Sequence, residues 1–263
     1  MNKSKYFSPH WTIYILDLNN TTVMYYLKTF EATEEYNKMD RLLVPSISLT
    51  EDDGLLHFDV VSDVVDLGLT SGTLWMKRNI GATSETDYGL YFQWGDTVGY
   101  VGNEALNHST WSTCPGNGGN EDYDATSITA WDKEHLTNGV LKTDVDAAYV
   151  HTNGLAKMPT DEQYQELVNE TDCSWVNNFN SSGINGRKFV NKTDSSKYIF
   201  IPASGNTWRG SFYDVGTYGD LWSSSVYASN AQSAYSLSFR SGGCGVSGSS
   251  HYFGMCVRGV VII

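Results

Sequence analysis

Residues 220–230 read "DLWSSSVYASN". Leu221, Trp222 and Val226 give the stretch the character of a buried strand, and Ser223, Ser224 and Ser225 raise the question of a nucleophile. A catalytic serine of the hydrolase type sits on a strained G-x-S-x-G elbow that exposes its oxygen, and that spacing is missing here. His151 and His251 are the candidate bases, yet nothing in their spacing ties either to a serine, and a triad is recognised by geometry. The expectation is a strand whose tryptophan is core and whose hydroxyls bond nearby backbone. It leads into a loop at 226–253, framed by strands at "AYSLSFR" (234–240) and "MCVRGVVII" (255–263). The second of these lacks alternation and reads as buried on both faces.

The framed loop is the candidate ligand surface. Between Leu221 and Val257 only Arg240 carries a formal charge if His251 is neutral. Tyr, Ser, Gly and Asn dominate, the types that adaptable paratopes use: rigid aromatic area beside small hydrogen-bonding groups. The expected contacts are Tyr227, Asn230, Gln232, Tyr235, Arg240, Ser249, His251 and Tyr252. A merely flexible Ser/Gly loop is the alternative.

The rest of the composition narrows the function classes. A chain of 263 residues suits one large domain, or a medium one with a small appendage. With 13% aromatics, 17 Tyr and 8 Trp it can build a real core. The net charge of −13 repels phosphate backbones and anionic lipid, so no nucleic-acid partner is expected. No stretch approaches the roughly 20 apolar residues of a membrane span, so no membrane insertion is expected. "WTIYIL" is too short for a signal peptide before Asp17, which argues against secretion by that route. Cys114, Cys173, Cys244 and Cys256 form no C-x-x-C pair; Cys244 and Cys256 read as either a hairpin disulfide or separate thiols. Glu121, Asp122 and Asp124 in "GNEDYDATS" are the candidate calcium ligands, but calcium takes six to eight oxygens and no ligand spacing matches. The reading is a solvated loop, with no metal and no cofactor.

Along the chain, two compositions meet near residue 62. Residues 1–62 read as a small attachment or oligomerisation module. It holds two strands around Asn19-Asn20, a helix through Tyr36, Met39 and Leu43 that stops at Pro45, and a hairpin with Asp53-Gly54 at its tip. Residues 63–263 form the main domain. There, 99–130 reads as a long Gly/Asn/Asp/Ser loop region. "KTDVDAAYVH" places Val145, Ala148 and Tyr149 on one helical face. "MPTDEQYQELVNE" is the clearest helix, with Thr160 and Gln163 as a capping box and Tyr164, Leu167 and Val168 as its buried stripe. "RKFVN" and "KYIFIPAS" read as strands.

In order, the chain also carries "VDLGLTSGTLWMKRNIGA", "YGLYFQWGDT", "DVDAAYV", "KMPTDEQYQEL", "YIFIPASG", "YGDLWSSSVY" and "FGMCVRGVV". This series, from residue 64 to about 260, resembles the Fibrobacter-type major paralogous domain of Bacteroides-group bacteria and their phages. The resemblance implies an α+β, C-type-lectin-like fold: a small antiparallel sheet, two helices, long loops, and an early strand (58–66) paired with the last (255–263). Lys157 stands where family members often carry an aromatic or basic residue, and Thr70 replaces the usual proline. The Glu-Pro-Asn and Trp-Asn-Asp elements of calcium-dependent lectins are missing, and the family supplies no catalytic set. The implied function is non-enzymatic recognition of a host-surface glycan or protein. The parent assembly, reached through 1–62, would be a phage virion fibre or decoration, or else a bacterial surface adhesin, in a homo-oligomer such as a trimer. An enzyme of the formylglycine-generating type, working through copper or thiols, is the reading from another class. The loop's residue types are also those reached from an asparagine codon by changing its adenines. Diversity-generating retroelements mutate in that way, and their targets resemble lectin-like domains varied near the C-terminus; ordinary loop drift is the alternative.

Overall fold

A computed structural model describes residues 46–52, 55–61 and 64–261. The chain divides into two units, 1–42 and 43–263. The strands and helix expected before Pro45 lie outside the described residues.

In chain order, β1 (Ser46–Asp52) and β2 (Leu55–Val61) form an antiparallel hairpin. Asp52 pairs with Leu55, which leaves Asp53-Gly54 between the strands, as the sequence leads one to expect. Then come β3 (Val64–Asp66), β4 (Leu74–Asn79) and β5 (Tyr91–Phe92). A helical stretch follows: α1 (Gly102–Asn107), α2 (Ala125–His135), the short pair β6 (Leu136–Thr137) and β7 (Val140–Leu141), α3 (Ala147–His151) and α4 (Asp161–Glu170). The chain continues as β8 (Thr171–Val176), β9 (Gly186–Asn191), β10 (Tyr198–Pro202), β11 (Asn206–Trp208) and β12 (Ser211–Tyr213). It closes with β13 (Tyr218–Val226), β14 (Ser233–Arg240), β15 (Gly243–Ser250), β16 (Met255–Cys256) and β17 (Arg258–Val261).

The described protein is mixed α+β, with mostly antiparallel sheets, four helices and long loops. The largest sheet runs β15-β14-β13-β16-β5, with β7 also on β13; only the β13–β16 pairing in it is parallel. Smaller sheets are β10-β9-β8, β17-β4-β3 and the β11-β12 hairpin.

Strand β13 is buried on both faces, and the pleat splits its side chains between two cores. Leu221 packs with Trp75, Tyr164, Leu237 and Phe239; Trp222 packs with Phe92, Trp94, Met158 and Val257. Each buried leucine stabilises by about 1.5–3 kcal/mol. Helix α4 has the expected cap, with Thr160 Oγ1 accepting from Gln163 N and Gln163 Oε1 accepting from Thr160 N. Tyr164 and Leu167 are fully buried, and Val168 packs at the edge of the same core.

Four expectations are corrected. Strand β4, carrying the buried Trp75, lies between β3 and β17, so the early strand pairs with β4 and not with the last strand. Among the described residues of the main domain there are four helices where two were expected there, because 99–130 holds α1 and most of α2. "MCVRGVVII" breaks at Val257 into β16 and β17, which join different sheets, although residues 255–260 are all buried. The 226–253 segment is chiefly the β14-β15 hairpin, turning at Ser241-Gly242, and not an open loop.

Buried Arg258 clamps the sheets together. Its guanidinium donates from Nε to Asn79 Oδ1, from Nη1 to Met76 O and from Nη2 to Phe200 O, each at 2.9 Å. It therefore ties β17 to β4 and to β10. Burial lowers its pKa to about 10.

Candidate functional site

The stretch that raised the question of a nucleophile is scaffold. Ser223, Ser224 and Ser225 are all buried. Ser224 Oγ donates to Pro159 O, Ser223 Oγ accepts from Ser225 N, and Ser225 Oγ accepts from Asp161 N. Trp222 Nε1 donates to Phe92 O at 2.8 Å. The Ser224 and Ser225 hydroxyls join β13 to the segment that starts α4.

The β14-β15 register sorts the expected ligand residues by face. Ser236 opposes Ser247, and Ala234 opposes Ser249, so these side chains share one face with Ser238 and Arg240. Tyr235 opposes Gly248 on the other face, where the Tyr227 ring lies on Gly248 and meets Tyr235 edge-on at 4.8 Å. A Cβ at Gly248 would sit 3.0 Å from that ring and would push it aside by a few tenths of an ångström. Asn230 is exposed in the 227–232 turn, and its Oδ1 accepts from Gln232 N. The pleat thus separates residues that the sequence reading had placed on one surface.

His251 departs from the expectation of ligand contact. It is 1% exposed and stacks on Trp94 with centroids 4.3 Å apart. Its backbone is bonded on both sides, N to Gln232 O and O to Trp94 N. Its Nε2 is enclosed without a hydrogen-bond partner, and burial lowers its pKa to about 3, so the ring is neutral.

The serine face carries a polar patch. Asp220, 8% exposed, accepts from Ser238 Oγ at 2.7 Å and from Asn206 Nδ2 at 3.1 Å. Ser247 Oγ bonds Ser238 Oγ, and Ser236 Oγ bonds Ser249 Oγ at 2.9 Å. At the rim Arg240 Nη1 donates to Tyr218 OH at 2.6 Å.

Asn206 joins this patch to a row of rings. It opposes Tyr213 in the β11-β12 hairpin, and from Tyr213 the ring contacts run through Trp208, Phe253, Tyr252 and Trp111 to Tyr123. Successive centroids are 5.5, 6.0, 4.8, 4.7 and 5.3 Å apart. All six rings keep exposed surface, and Tyr213 is 40% exposed.

Local structure fixes the row. The hairpin turns at Arg209 and Gly210, both at positive φ (46° and 75°), the geometry of a two-residue turn that matches strand twist. Arg209 lies over the Trp208 ring at 5.1 Å. Reciprocal bonds between Thr207 and Gly254 bring Trp208 beside Phe253. Buried Gln93 donates to both Thr110 O and Tyr252 O, which sets Trp111 against Tyr252. Asn117 organises the segment that carries Trp111 and Tyr123. Its Nδ2 donates to Trp111 O, Asn120 O and Asp122 O, and its Oδ1 accepts from Asp124 N.

The acidic segment 121–124 has a structural use. Asp124 caps α2, accepting from Thr126 N, Ser127 Oγ and Asn120 Nδ2. Among the described residues no group of three or more His, Cys, Asp or Glu is placed to hold a metal. All four cysteines are free thiols; Cys244 meets Cys173, not Cys256. Of the row, only Tyr252 was among the expected contacts. The other five rings are spread from residue 111 to 253, and only the fold collects them.

Comparison with known proteins gives no match of significance to a family model, a curated protein or a solved structure.

Proposed function

We propose that this protein is a non-enzymatic recognition protein that binds a surface glycan on the row Tyr123–Trp111–Tyr252–Phe253–Trp208–Tyr213 and the adjoining serine–carboxylate patch. The observation that carries the reading is the unbroken row of partly exposed rings joined, through Asn206, to Asp220 and Ser238. Sugar rings have apolar C–H faces that stack on aromatic surface, and hydroxyls that pair with carboxylates, amides and serines. Tryptophan and tyrosine offer large rigid area with a polar edge at low entropy cost. The motif series supports a C-type-lectin-like fold of the Fibrobacter-type family, and the α+β organisation accords with it. In this reading residues 1–62 attach the domain to a larger homo-oligomeric assembly. That assembly is a phage virion fibre or decoration, with a bacterial surface adhesin as the alternative setting.

The test is a glycan array followed by calorimetry on the best ligand, with two sets of variants. Trp208→Ala and Tyr252→Ala should each weaken binding about thirtyfold, the loss of a hot spot of about 2 kcal/mol. Tyr227→Ala and Tyr235→Ala, on the opposite face, should leave affinity within about threefold. The reverse pattern would move the ligand to the tyrosine face. An array without hits, together with binding to a protein receptor, would replace the glycan by a protein ligand.

A further inference from the structure

Cys173, Cys244 and Arg187 form a cluster that the ligand surface does not use. On β8 and β9, Cys173 opposes Phe189 and Trp175 opposes Arg187, so these four share one face of the small sheet. That face meets the turn of the β14-β15 hairpin. Arg187 Nη1 donates to Arg240 O at 2.7 Å and to Gly243 O at 2.5 Å, and its Nε donates to Cys173 Sγ at 2.8 Å. The residue after Gly243 is Cys244, which opposes Phe239 in the β14-β15 register; Phe239 meets Trp175 of the same sheet face edge-on at 6.5 Å, which brings Cys244 beside Cys173. Both cysteines are partly exposed, whereas Cys114 and Cys256 are buried.

The chemistry of the trio is asymmetric. A guanidinium stays charged and only donates, so beside sulfur it favours thiolate. The neighbouring Cys244 thiol, with the Arg187 charge and its hydrogen bond, outweighs burial and lowers the Cys173 pKa to about 7. The same contact, with burial, raises that of Cys244, which is left as the protonated partner. A thiol whose pKa lies near ambient pH, with a second thiol beside it to resolve the mixed disulfide, is the arrangement that thiol–disulfide exchange uses.

We propose that Cys173 and Cys244 are a redox pair that closes to a disulfide by exchange with a small-molecule disulfide, stapling the β8-β9-β10 sheet to the β14-β15 hairpin. Cys173 thiolate attacks one sulfur of RS–SR; an S–Cys173 bond forms, the RS–SR bond breaks, and RS⁻ leaves to take up a proton. With Cys173 no longer anionic, Cys244 loses the contact that held its proton. Its thiolate attacks the Cys173 sulfur and expels the second RS⁻. The sum is two protein thiols and RSSR giving one protein disulfide and two RSH.

The experiment treats the full reduced chain with oxidised glutathione and follows intact mass and peptide maps. The expected product has lost the mass of two hydrogens and yields one cross-linked peptide, Cys173–Cys244, with Cys114 and Cys256 alkylated only after denaturation. Its melting temperature should rise by about 5–10 °C, as for a disulfide closing a long loop, and dithiothreitol should reverse the rise. In the reduced chain iodoacetamide should modify Cys173 at pH 7 at least tenfold faster than Cys244. Arg187→Gln should slow that reaction several-fold, and Cys244→Ser should trap one glutathione on Cys173. The last variant also keeps the test decisive if Arg187→Gln fails to fold. A lasting mixed disulfide in the unsubstituted chain, a bridge through Cys114 or Cys256, or no reaction at either cysteine would each overturn the proposal.

Discussion

At Thr160, one hydroxyl and the Gln163 side chain satisfy two orphan backbone donors at the start of α4. Thr160→Ala should therefore cost about 1 kcal/mol in urea titration, with glycan affinity unchanged, since the cap lies in scaffold. Loss of binding with unaltered stability would place "MPTDEQ" in the site. This cap was legible in the sequence because its contacts span only three positions. Asn117 was not: its value comes from three carbonyls that a loop brings around one amide, and no residue-type pattern announces that. The same contrast separates Tyr252, found through composition, from Trp111, in a segment read as loop, and Trp208, in a stretch to which no element was assigned.

Elements followed local pattern where the pattern was strong. Helix α4 and strands β9, β10 and β14 lie where periodicity and β-branched or aromatic content place them. Helix α2 was missed because its sequence, "ATSITAWDKEH", buries only Ile128 fully and shows no apolar stripe; Asp124 starts it and Trp131 holds it through Trp94. The division of "MCVRGVVII" into β16 and β17 follows from partners that sequence does not reveal, β13 and β5 for one and β4 for the other. Arg258 stands just after that division. Arg258→Lys keeps the charge but cannot span Asn79, Met76 and Phe200 at once. It should destabilise by about 3 kcal/mol or more, since buried carbonyls and a buried charge are left underbonded. Equal denaturation midpoints for the two proteins would show that the clamp contributes nothing.

For the whole molecule, enclosed His251 links stability to pH. Its folded pKa of about 3 lies below the unfolded value of 6.5, so its contribution is complete above pH 6.5 and is lost as pH falls toward 3. At pH 5 the loss should be about 2 kcal/mol. Asp146 acts with the opposite sign: burial raises its pKa from 3.8 to about 6, so its contribution is present below pH 3.8 and is lost as pH rises through 6. Comparison with His251→Gln isolates the histidine. The stability gap between the two proteins should shrink by about 2 kcal/mol from pH 7 to pH 5 in urea titrations. A gap independent of pH would mean that His251 is protonated in the folded state.

What the sequence determined by itself is what short-range physics controls. That covers the β1-β2 hairpin, the α4 cap, the strand character of 220–226 and the burial of Trp222. Each rests on spacing within a few residues or on side-chain type. Tertiary structure alone decided that β4 separates the first and last strands, that the pleat turns Tyr235 and Ser249 to opposite faces, and that His251 is enclosed. It also gathered Tyr123, Trp111, Tyr252, Phe253, Trp208 and Tyr213 into one row, and set Cys173 against Cys244. These arrangements depend on contacts between segments tens of residues apart, where strand register and packing, and not local propensity, choose which side chains meet.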